Sequence, residues 1–263
     1  MNYGKEEFQT LFRHGYSNHG CVLFGSVFTS CSNDDDLLLA GDPQTEQVSS
    51  LAQDSVKAVT RSLSDYPSGV YNILTKYKNS YVHYKQDAHG CGPLNYVLCF
   101  RAIVRADYPP ANYAANIQDK WDDVIDYNHA TAQTLDQLQD YFDNNDSGWG
   151  YSCHVFKKPW TPSGKDQFVE HMLWYLDNYK KPFVVLNAIY SSSQSAWVGH
   201  YYIVWNITWT QNCSTSTIYY TNTTDAVTNN FDTQIKSKNL GTFLTDATHN
   251  PSATQYGMLY FQY

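Results

Sequence analysis

Charged side chains are scarce in this sequence of 263 residues. Asp, Glu, Lys and Arg together make up 16% of it, and the net charge at pH 7 is -8. A surface that binds nucleic acid needs clustered Lys and Arg side chains to neutralise phosphates, so we expect no nucleic-acid partner. Hydrophobic residues make up 42%, which is enough for a packed core. The neutral polar and tyrosine-rich remainder is common in secreted and cell-surface proteins, and we expect such a location.

Long apolar runs and a leader segment are also missing. A membrane-spanning helix needs about 18 consecutive apolar residues, and the longest candidate here is the strand-length run Phe183–Tyr190. The opening residues MNYGKEEFQTLF lack the basic and apolar regions of a signal peptide. We therefore expect no membrane span and no signal peptide in the chain as written. The sequence does not indicate an oligomeric state.

Cysteines are few, and no two of them form a C-x-x-C pair. The six are Cys21, Cys31, Cys91, Cys99, Cys153 and Cys213. Without such a pair there is no ligand frame for a zinc finger or ribbon. Two groups that mix histidine with cysteine also fit no common zinc spacing, namely His14, His19 and Cys21, and His83, His89 and Cys91. We expect no metal and no cofactor. Cys21 and Cys31 lie close in sequence, but the sequence does not determine the disulfide pairing.

Apolar residues at helical spacing predict several helices. They cover residues 47–63, a stretch that begins near Gly90, and the regions around residues 135–142 and 168–176. Pro93 suits the first turn of the helix near Gly90, where a backbone N–H would have no partner. Ser163 and Asp166 have the spacing of a capping pair for the last helix.

Later in the chain the pattern changes to runs rich in Val, Ile, Tyr, Trp and Thr, which are typical of strands. These runs cover residues 183–190, 201–209, 215–221 and 258–263. Helices followed by a set of antiparallel strands indicate an α+β fold. We expect a main domain over residues 81–263 and an N-terminal extension over residues 1–80 that packs on it and acts as a propeptide-like or regulatory segment.

The segment Gln86-Asp-Ala-His-Gly-Cys91-Gly-Pro carries the clearest chemical signal. Cys91 lies at the start of a predicted helix, where the helix dipole favours a thiolate and lowers the thiol pKa. Gly90 and Gly92 leave room for a substrate carbonyl to approach the backbone. The Cys91 N–H and the Gln86 amide could then stabilise an oxyanion. This arrangement indicates a cysteine nucleophile, which would have to stay a free thiol.

A histidine and an amide in two later strands could complete such a site. His200 begins the predicted strand His200-Tyr-Tyr-Ile-Val-Trp205 after the flexible Gly199, and the next strand ends at Asn222. If the two strands pair as a hairpin, the Asn222 carbonyl lies close enough to orient the imidazole. Asp225 lies three residues further on and could orient His200 instead.

These motifs, in this order, resemble the C39-like branch of the papain-like cysteine peptidases. That family has its cysteine in a GCGP helix start, its histidine in a GHYVVV-type strand and an aspartate after an IYVND-type strand. The matching segments are Gly90–Pro93, Gly199–Val204 and Ile218–Asn222. The resemblance covers residues 81–263 and does not extend to the N-terminal extension.

The resemblance implies a papain-like fold, with N-terminal helices packed on an antiparallel sheet. It implies Cys91 as nucleophile, His200 as base, Asn222 as the residue that orients His200, and Gln86 as oxyanion donor. Two departures are notable: Asn222 replaces the family's aspartate, and the spacing of five from Gln86 to Cys91 is short. We expect a cysteine peptidase that hydrolyses peptide or protein substrates through a thioester and uses no cofactor.

Three alternatives remain open at this level. Cys21 also follows His-Gly and precedes an apolar run, although it lacks the Gly-Pro. A transglutaminase or a cell-wall peptide amidase would use the same catalytic residues, so the residues alone do not decide the reaction. A binding or adhesive domain could keep the fold without activity.

Overall fold

The computed structural model describes residues 62–86, 90–109, 111–228 and 230–263. The helix expected over residues 47–63, the Cys21–Cys31 pair and most of the N-terminal extension lie outside these residues. The alternative nucleophile Cys21 lies outside them too. The division into an extension and a main domain therefore stays a prediction.

Seven α-helices are present in the described residues, and the longest two are α2 and α5. Their bounds are α1 Leu74–Tyr77, α2 Cys91–Asp107, α3 Ile117–Asn128, α4 Leu135–Asn145, α5 Pro162–Asn178, α6 Phe231–Gln234 and α7 Leu240–Ala247. The predicted helices near Gly90 and around residues 135–142 and 168–176 are thus confirmed as α2, α4 and α5. Helices α1, α3, α6 and α7 were not predicted.

One antiparallel sheet of seven strands forms the rest of the fold. The strands are β1 Gly69–Asn72, β2 Ser152–Pro159, β3 Phe183–Ser191, β4 Ala196–Trp209, β5 Thr217–Thr221, β6 Lys236–Asn239 and β7 Gln255–Gln262. Their order is β2-β7-β3-β4-β5-β6, and β1 also pairs with β4. All six strand pairings are antiparallel. The four predicted strands are confirmed as β3, β4, β5 and β7, whereas β1, β2 and β6 were missed.

Helix α2 is the central helix of the core. Every residue from Cys91 to Val104 is buried, so the helix is covered on all sides rather than along a single stripe. It packs against α3 and α4 and against strands β3 and β4. Its first turn, which contains the candidate nucleophile, is therefore held from several directions.

Helix α5 begins differently from the sequence prediction. Its N-cap is Thr161, whose hydroxyl accepts a hydrogen bond from the Gly164 N–H at 3.0 Å. The predicted capping pair of Ser163 and Asp166 is wrong, because Pro162 already occupies the first helical position, where its missing N–H costs no hydrogen bond.

Residues 62–80 are integrated into the same sheet and core. Strand β1 pairs with the second half of β4, with Gly69 opposite Trp209. Tyr66, Ile73 and Tyr77 are buried in the common hydrophobic core. Residues 62–80 therefore pack on the sheet and core formed by the described residues that follow them.

No described helix is both long and apolar enough to cross a membrane. Over the same ranges, no group of three or more His, Cys, Asp or Glu side chains is arranged to hold a metal ion.

Candidate active site

Cys91 is the first residue of α2, and the chain enters the helix through Gly90. Gly90 has φ 91°, a left-handed conformation that residues with a Cβ rarely adopt. The Leu94 N–H donates to the Gly90 carbonyl at 3.0 Å, which closes the first helical turn. The predicted position of Cys91 at a helix N-terminus is confirmed.

Gly90 and Gly92 lie where a larger residue would collide with neighbouring side chains. A Cβ on Gly90 would lie 2.8 Å from the indole nitrogen of Trp121, and one on Gly92 would lie 3.0 Å from the ring of Tyr201. Their small size lets α2 approach α3 and β4 closely. That they also leave room for a substrate carbonyl stays a prediction.

Asn95 connects the three segments that carry the candidate catalytic residues. Its amide nitrogen lies 2.7 Å from the Cys91 carbonyl oxygen, 3.1 Å from the Tyr201 carbonyl oxygen and 3.1 Å from the Thr223 hydroxyl. Tyr201 follows His200, and Thr223 follows Asn222. The fully buried Asn95 side chain thus holds the start of α2 beside the two strand segments that carry the imidazole and its partner.

His200 lies within β4, not at its start. It is the fifth residue of the strand and pairs with Asn187 of β3, and Gly199 is also part of the strand. The prediction of a strand start after a flexible glycine is wrong, because the β3–β4 hairpin extends to Ala196. The ring of His200 is buried and makes an edge contact with the Tyr202 ring at 4.8 Å between centroids.

Asn222 is the residue that lies against His200. The His200 Nε2 is 2.8 Å from the Asn222 Oδ1, which also accepts the Thr224 N–H at 3.1 Å. A backbone N–H can only donate, so this amide atom is the oxygen, and Nε2 must carry the imidazole hydrogen. The basic nitrogen of His200 is therefore Nδ1. The pairing of β4 with β5 that brings the two residues together was predicted from the sequence.

Asp225, the alternative partner, makes other contacts. Its carboxylate lies 3.6 Å from the Lys236 ammonium, and its carbonyl oxygen lies 3.3 Å from the Nε2 of His83. Its N–H donates to the Asn222 carbonyl at 3.1 Å. Asp225 therefore supports the turn after β5, whereas Asn222 accepts the hydrogen bond from His200.

Gln86 is tied to the residue that follows Asn222. The Thr223 hydroxyl donates to the Gln86 Oε1 at 2.6 Å, and the Gln86 N–H donates to the Thr223 carbonyl at 2.9 Å. The structure thus connects Gln86, Cys91, His200 and Asn222 through hydrogen bonds of Asn95 and Thr223. Neither of these connecting residues was predicted from the sequence, although Asn95 lies one helical turn after Cys91 and Thr223 directly follows a predicted site residue.

Cys91 is part of a disulfide bond in this structure, whereas Cys99, Cys153 and Cys213 are free thiols. The expectation that Cys91 stays free is therefore wrong for this form of the protein. A nucleophilic thiolate at Cys91 requires prior reduction of the bond.

Comparison with solved structures supports the fold. The chain is similar to UfSP from C. elegans, with a TM-score of 0.50 and 10% sequence identity. The match covers 76% of this chain and 36% of that one, so the chain spans about a third of the length of that structure. The protein has an α+β papain-like fold. No protein-family model matches the chain, and no curated protein matches it. The C39-like resemblance therefore stays a prediction.

Burial of His200 makes its charged form unfavourable. Removal from water lowers the pKa of this imidazole from 6.5 to about 4, and the hydrogen bond to Asn222 opposes this only in part. The unfolded chain binds a proton near pH 6.5 that the folded chain does not bind until about pH 4. This contribution to stability is therefore complete above pH 6.5 and is lost as the pH falls towards 4.

A His200→Gln variant should reveal this linkage. Between pH 7 and pH 4, we expect the unfolding free energy of the unsubstituted protein to fall by about 3 kcal/mol more than that of the variant. Urea unfolding under non-reducing conditions at a series of pH values measures the difference. The other buried histidines are present in both proteins, so their contributions to the pH dependence cancel in the difference between the two unfolding free energies. Parallel curves for the two proteins would contradict the assignment.

Proposed function

We propose that the reduced protein is a cysteine-dependent hydrolase of peptide or amide bonds. Cys91 is the nucleophile, His200 the base, Asn222 the residue that orients the base, and Gln86 an oxyanion donor. The observation that carries the proposal is the Asn95 amide, which binds the carbonyl of Cys91 and that of the residue after His200. The papain-like fold supports the proposal, and the assignment to a C39-like peptidase rests on the sequence motifs.

The reaction begins with proton transfer. The Nδ1 of His200 takes the proton of the Cys91 thiol, and the thiolate attacks the carbonyl carbon of the substrate, forming a C–S bond. The carbonyl oxygen becomes an oxyanion that accepts hydrogen bonds from the Gln86 side-chain amide and the Cys91 N–H. Collapse of this intermediate breaks the C–N bond, and His200 gives its proton to the leaving amine.

Hydrolysis of the thioester completes the cycle. His200 removes a proton from a water molecule, which attacks the thioester carbonyl and releases the acid, and Cys91 recovers its proton. Asn222 holds the Nε2–H tautomer of His200 through both steps. Over the cycle the thiol proton goes to the leaving amine, and a proton from the water molecule replaces it on Cys91. His200 and Cys91 therefore return to their starting states without a cofactor.

The surroundings of the other described cysteines favour selective reaction at Cys91. Burial raises the pKa of the Cys99 and Cys153 thiols well above the ordinary value, and burial raises the pKa of Cys213 as well. A raised pKa leaves little thiolate near neutral pH. Cys91 is also buried, but unlike these three it lies at the N-terminus of a 17-residue helix, where the helix dipole favours the thiolate.

Alkylation tests the proposal directly. The protein is treated with dithiothreitol, freed of reductant and exposed to limiting iodoacetamide at pH 7, and each cysteine is followed by peptide mass spectrometry. We expect Cys91 to react at least about tenfold faster than Cys99, Cys153 or Cys213 because their thiols are mostly protonated. Without dithiothreitol, Cys91 should remain unlabelled because it is part of a disulfide.

Acylation by p-nitrophenyl acetate provides the second measurement. A reactive Cys91 takes the acetyl group, releases p-nitrophenolate and carries the added mass. Cys91→Ser should abolish rapid release, and the matched control Cys213→Ser should keep it. Equal labelling of Cys91, Cys99, Cys153 and Cys213 in the folded, reduced protein would refute the proposal.

Product analysis separates the reactions that share this chemistry. Incubation with casein yields shorter peptides if the protein is a peptidase, and amine-labelled casein if it is a transglutaminase and an amine donor is present. Incubation with peptidoglycan yields free stem peptides if it is a cell-wall amidase. A non-catalytic binding domain gives none of these products.

A further inference from the structure

The orientation of the Asn95 side chain is fixed by what surrounds it. Two of the three groups within hydrogen-bond distance of its nitrogen are the backbone carbonyls of Cys91 and Tyr201. Carbonyl oxygens can only accept, so the end of the amide that faces them must be the NH2 group. The third group at this nitrogen, the Thr223 hydroxyl, therefore also faces a donor.

The orientation of the Asn95 amide determines the direction of the hydrogen bond between Thr223 and Gln86. A hydroxyl has a single hydrogen, and the Thr223 hydroxyl cannot donate it to the Asn95 NH2 group. It donates instead to the Gln86 side chain at 2.6 Å. Thr223 is fully buried, whereas Gln86 is half-buried. The end of the Gln86 amide that faces Thr223 must then be the oxygen.

We propose that Thr223, oriented by Asn95, is a positioning residue that keeps the NH2 end of Gln86 available as the oxyanion donor. The inference rests on the proposed function, because it needs an oxyanion to form at Cys91. The backbone bond from the Gln86 N–H to the Thr223 carbonyl holds the two residues beside each other, so the Gln86 side chain stays within reach of the Thr223 hydroxyl.

The role matters because the two ends of an amide have opposite effects. An NH2 group aimed at the developing oxyanion stabilises it, whereas an amide oxygen in the same place repels it. The two ends have almost the same shape, so packing alone distinguishes them poorly. The Thr223 hydroxyl selects one of the two orientations before the substrate arrives.

Two reagents separate this role from a general effect on Cys91. Acylation by p-nitrophenyl acetate passes through a tetrahedral oxyanion. Alkylation by iodoacetamide forms a C–S bond and expels iodide without an oxyanion. Both reactions need the same thiolate, so the ratio of their rate constants at reduced Cys91 isolates the contribution of the oxyanion donors.

For Thr223→Val, which keeps the shape and removes the hydroxyl, we expect acylation to slow about tenfold while alkylation stays within about twofold. Thr223→Ser restores the hydroxyl and should return the acylation rate to within about threefold of the unsubstituted value. Thermal unfolding of each variant reports any general loss of stability separately.

A double-mutant cycle with Gln86→Ala completes the test. If Thr223 acts only through Gln86, then Thr223→Val added to Gln86→Ala slows acylation no further. A further slowing in that background, or an equal slowing of acylation and alkylation in Thr223→Val, would overturn the inference while leaving the proposed function in place. If reduced, unsubstituted Cys91 reacts selectively with neither reagent, the proposed function fails and the inference with it.

Discussion

Replacement of His200 by Gln is expected to slow the acylation of reduced Cys91 about 100- to 1,000-fold at pH 7, the usual contribution of a positioned general base. Gln fills most of the space of the imidazole and can still hydrogen-bond to Asn222, so the site should keep its packing. It has no basic nitrogen to take the proton of the thiol. The release of p-nitrophenolate by the reduced protein measures the rate.

Two controls distinguish loss of the base from damage to the fold. His129→Asn removes an exposed imidazole at a left-handed position, φ 51°, which Asn tolerates well, and it should leave the rate unchanged. Raising the pH above about 9 should restore part of the rate of His200→Gln, because an unassisted thiol ionises there. An unchanged rate in His200→Gln at pH 7 would remove His200 from the mechanism.

The second large effect is expected at Asp146, away from the candidate site. This buried carboxylate accepts hydrogen bonds from the hydroxyls of Tyr96 at 2.5 Å and Tyr113 at 2.7 Å, and it pairs with the Lys120 ammonium at 2.9 Å. The four residues come from α2, α3, the loop between them and the end of α4. The Asp146 carboxylate therefore connects helices α2, α3 and α4.

Asp146→Asn should reduce the unfolding free energy by about 3 kcal/mol or more, because the Lys120 charge is left without its partner in a largely buried site. The amide also presents a donor where two tyrosine hydroxyls need acceptors. Urea unfolding at pH 7 measures the change.

Asp126→Asn is the matched control, since Asp126 is exposed and a surface change of this kind usually costs less than about 0.5 kcal/mol. A loss below about 1 kcal/mol in Asp146→Asn would show that the carboxylate contributes little net stability.

The parts of the fold that the sequence predicted are those with strong local signals. Gly90–Pro93 followed by an apolar stripe predicted α2, and runs of β-branched and aromatic residues predicted β3 and β4. The pairing of β4 with β5 placed Asn222 beside His200, because consecutive antiparallel strands often form a hairpin. Local periodicity and short connections were sufficient for these features.

The parts that were missed depend on tertiary contacts. Helix α3 buries only Ile117, Trp121 and Val124 among many polar residues, so its apolar stripe is narrow. Strand β2 contains adjacent lysines, and most of its residues are half-buried. Its partner β7 lies about 100 residues later in the chain, and no local pattern predicts a pairing at that separation.

The hydrogen bonds of the candidate site show the same limit. Neither Thr223 nor Asn95 belongs to a recognisable sequence motif. Their role depends on the hydrogen bond between them, which forms only in the folded protein. The disulfide at Cys91 was likewise not predictable, because sequence spacing does not determine which cysteines pair.

The position of β7 between β2 and β3 has a consequence for biosynthesis. While residues 255–262 are still inside the ribosomal exit tunnel, β2 and β3 each expose an edge that no other strand fills. The nascent chain then has two open edges capable of pairing with neighbouring chains. The sheet, and with it the support behind His200, can be completed only after translation has passed residue 262.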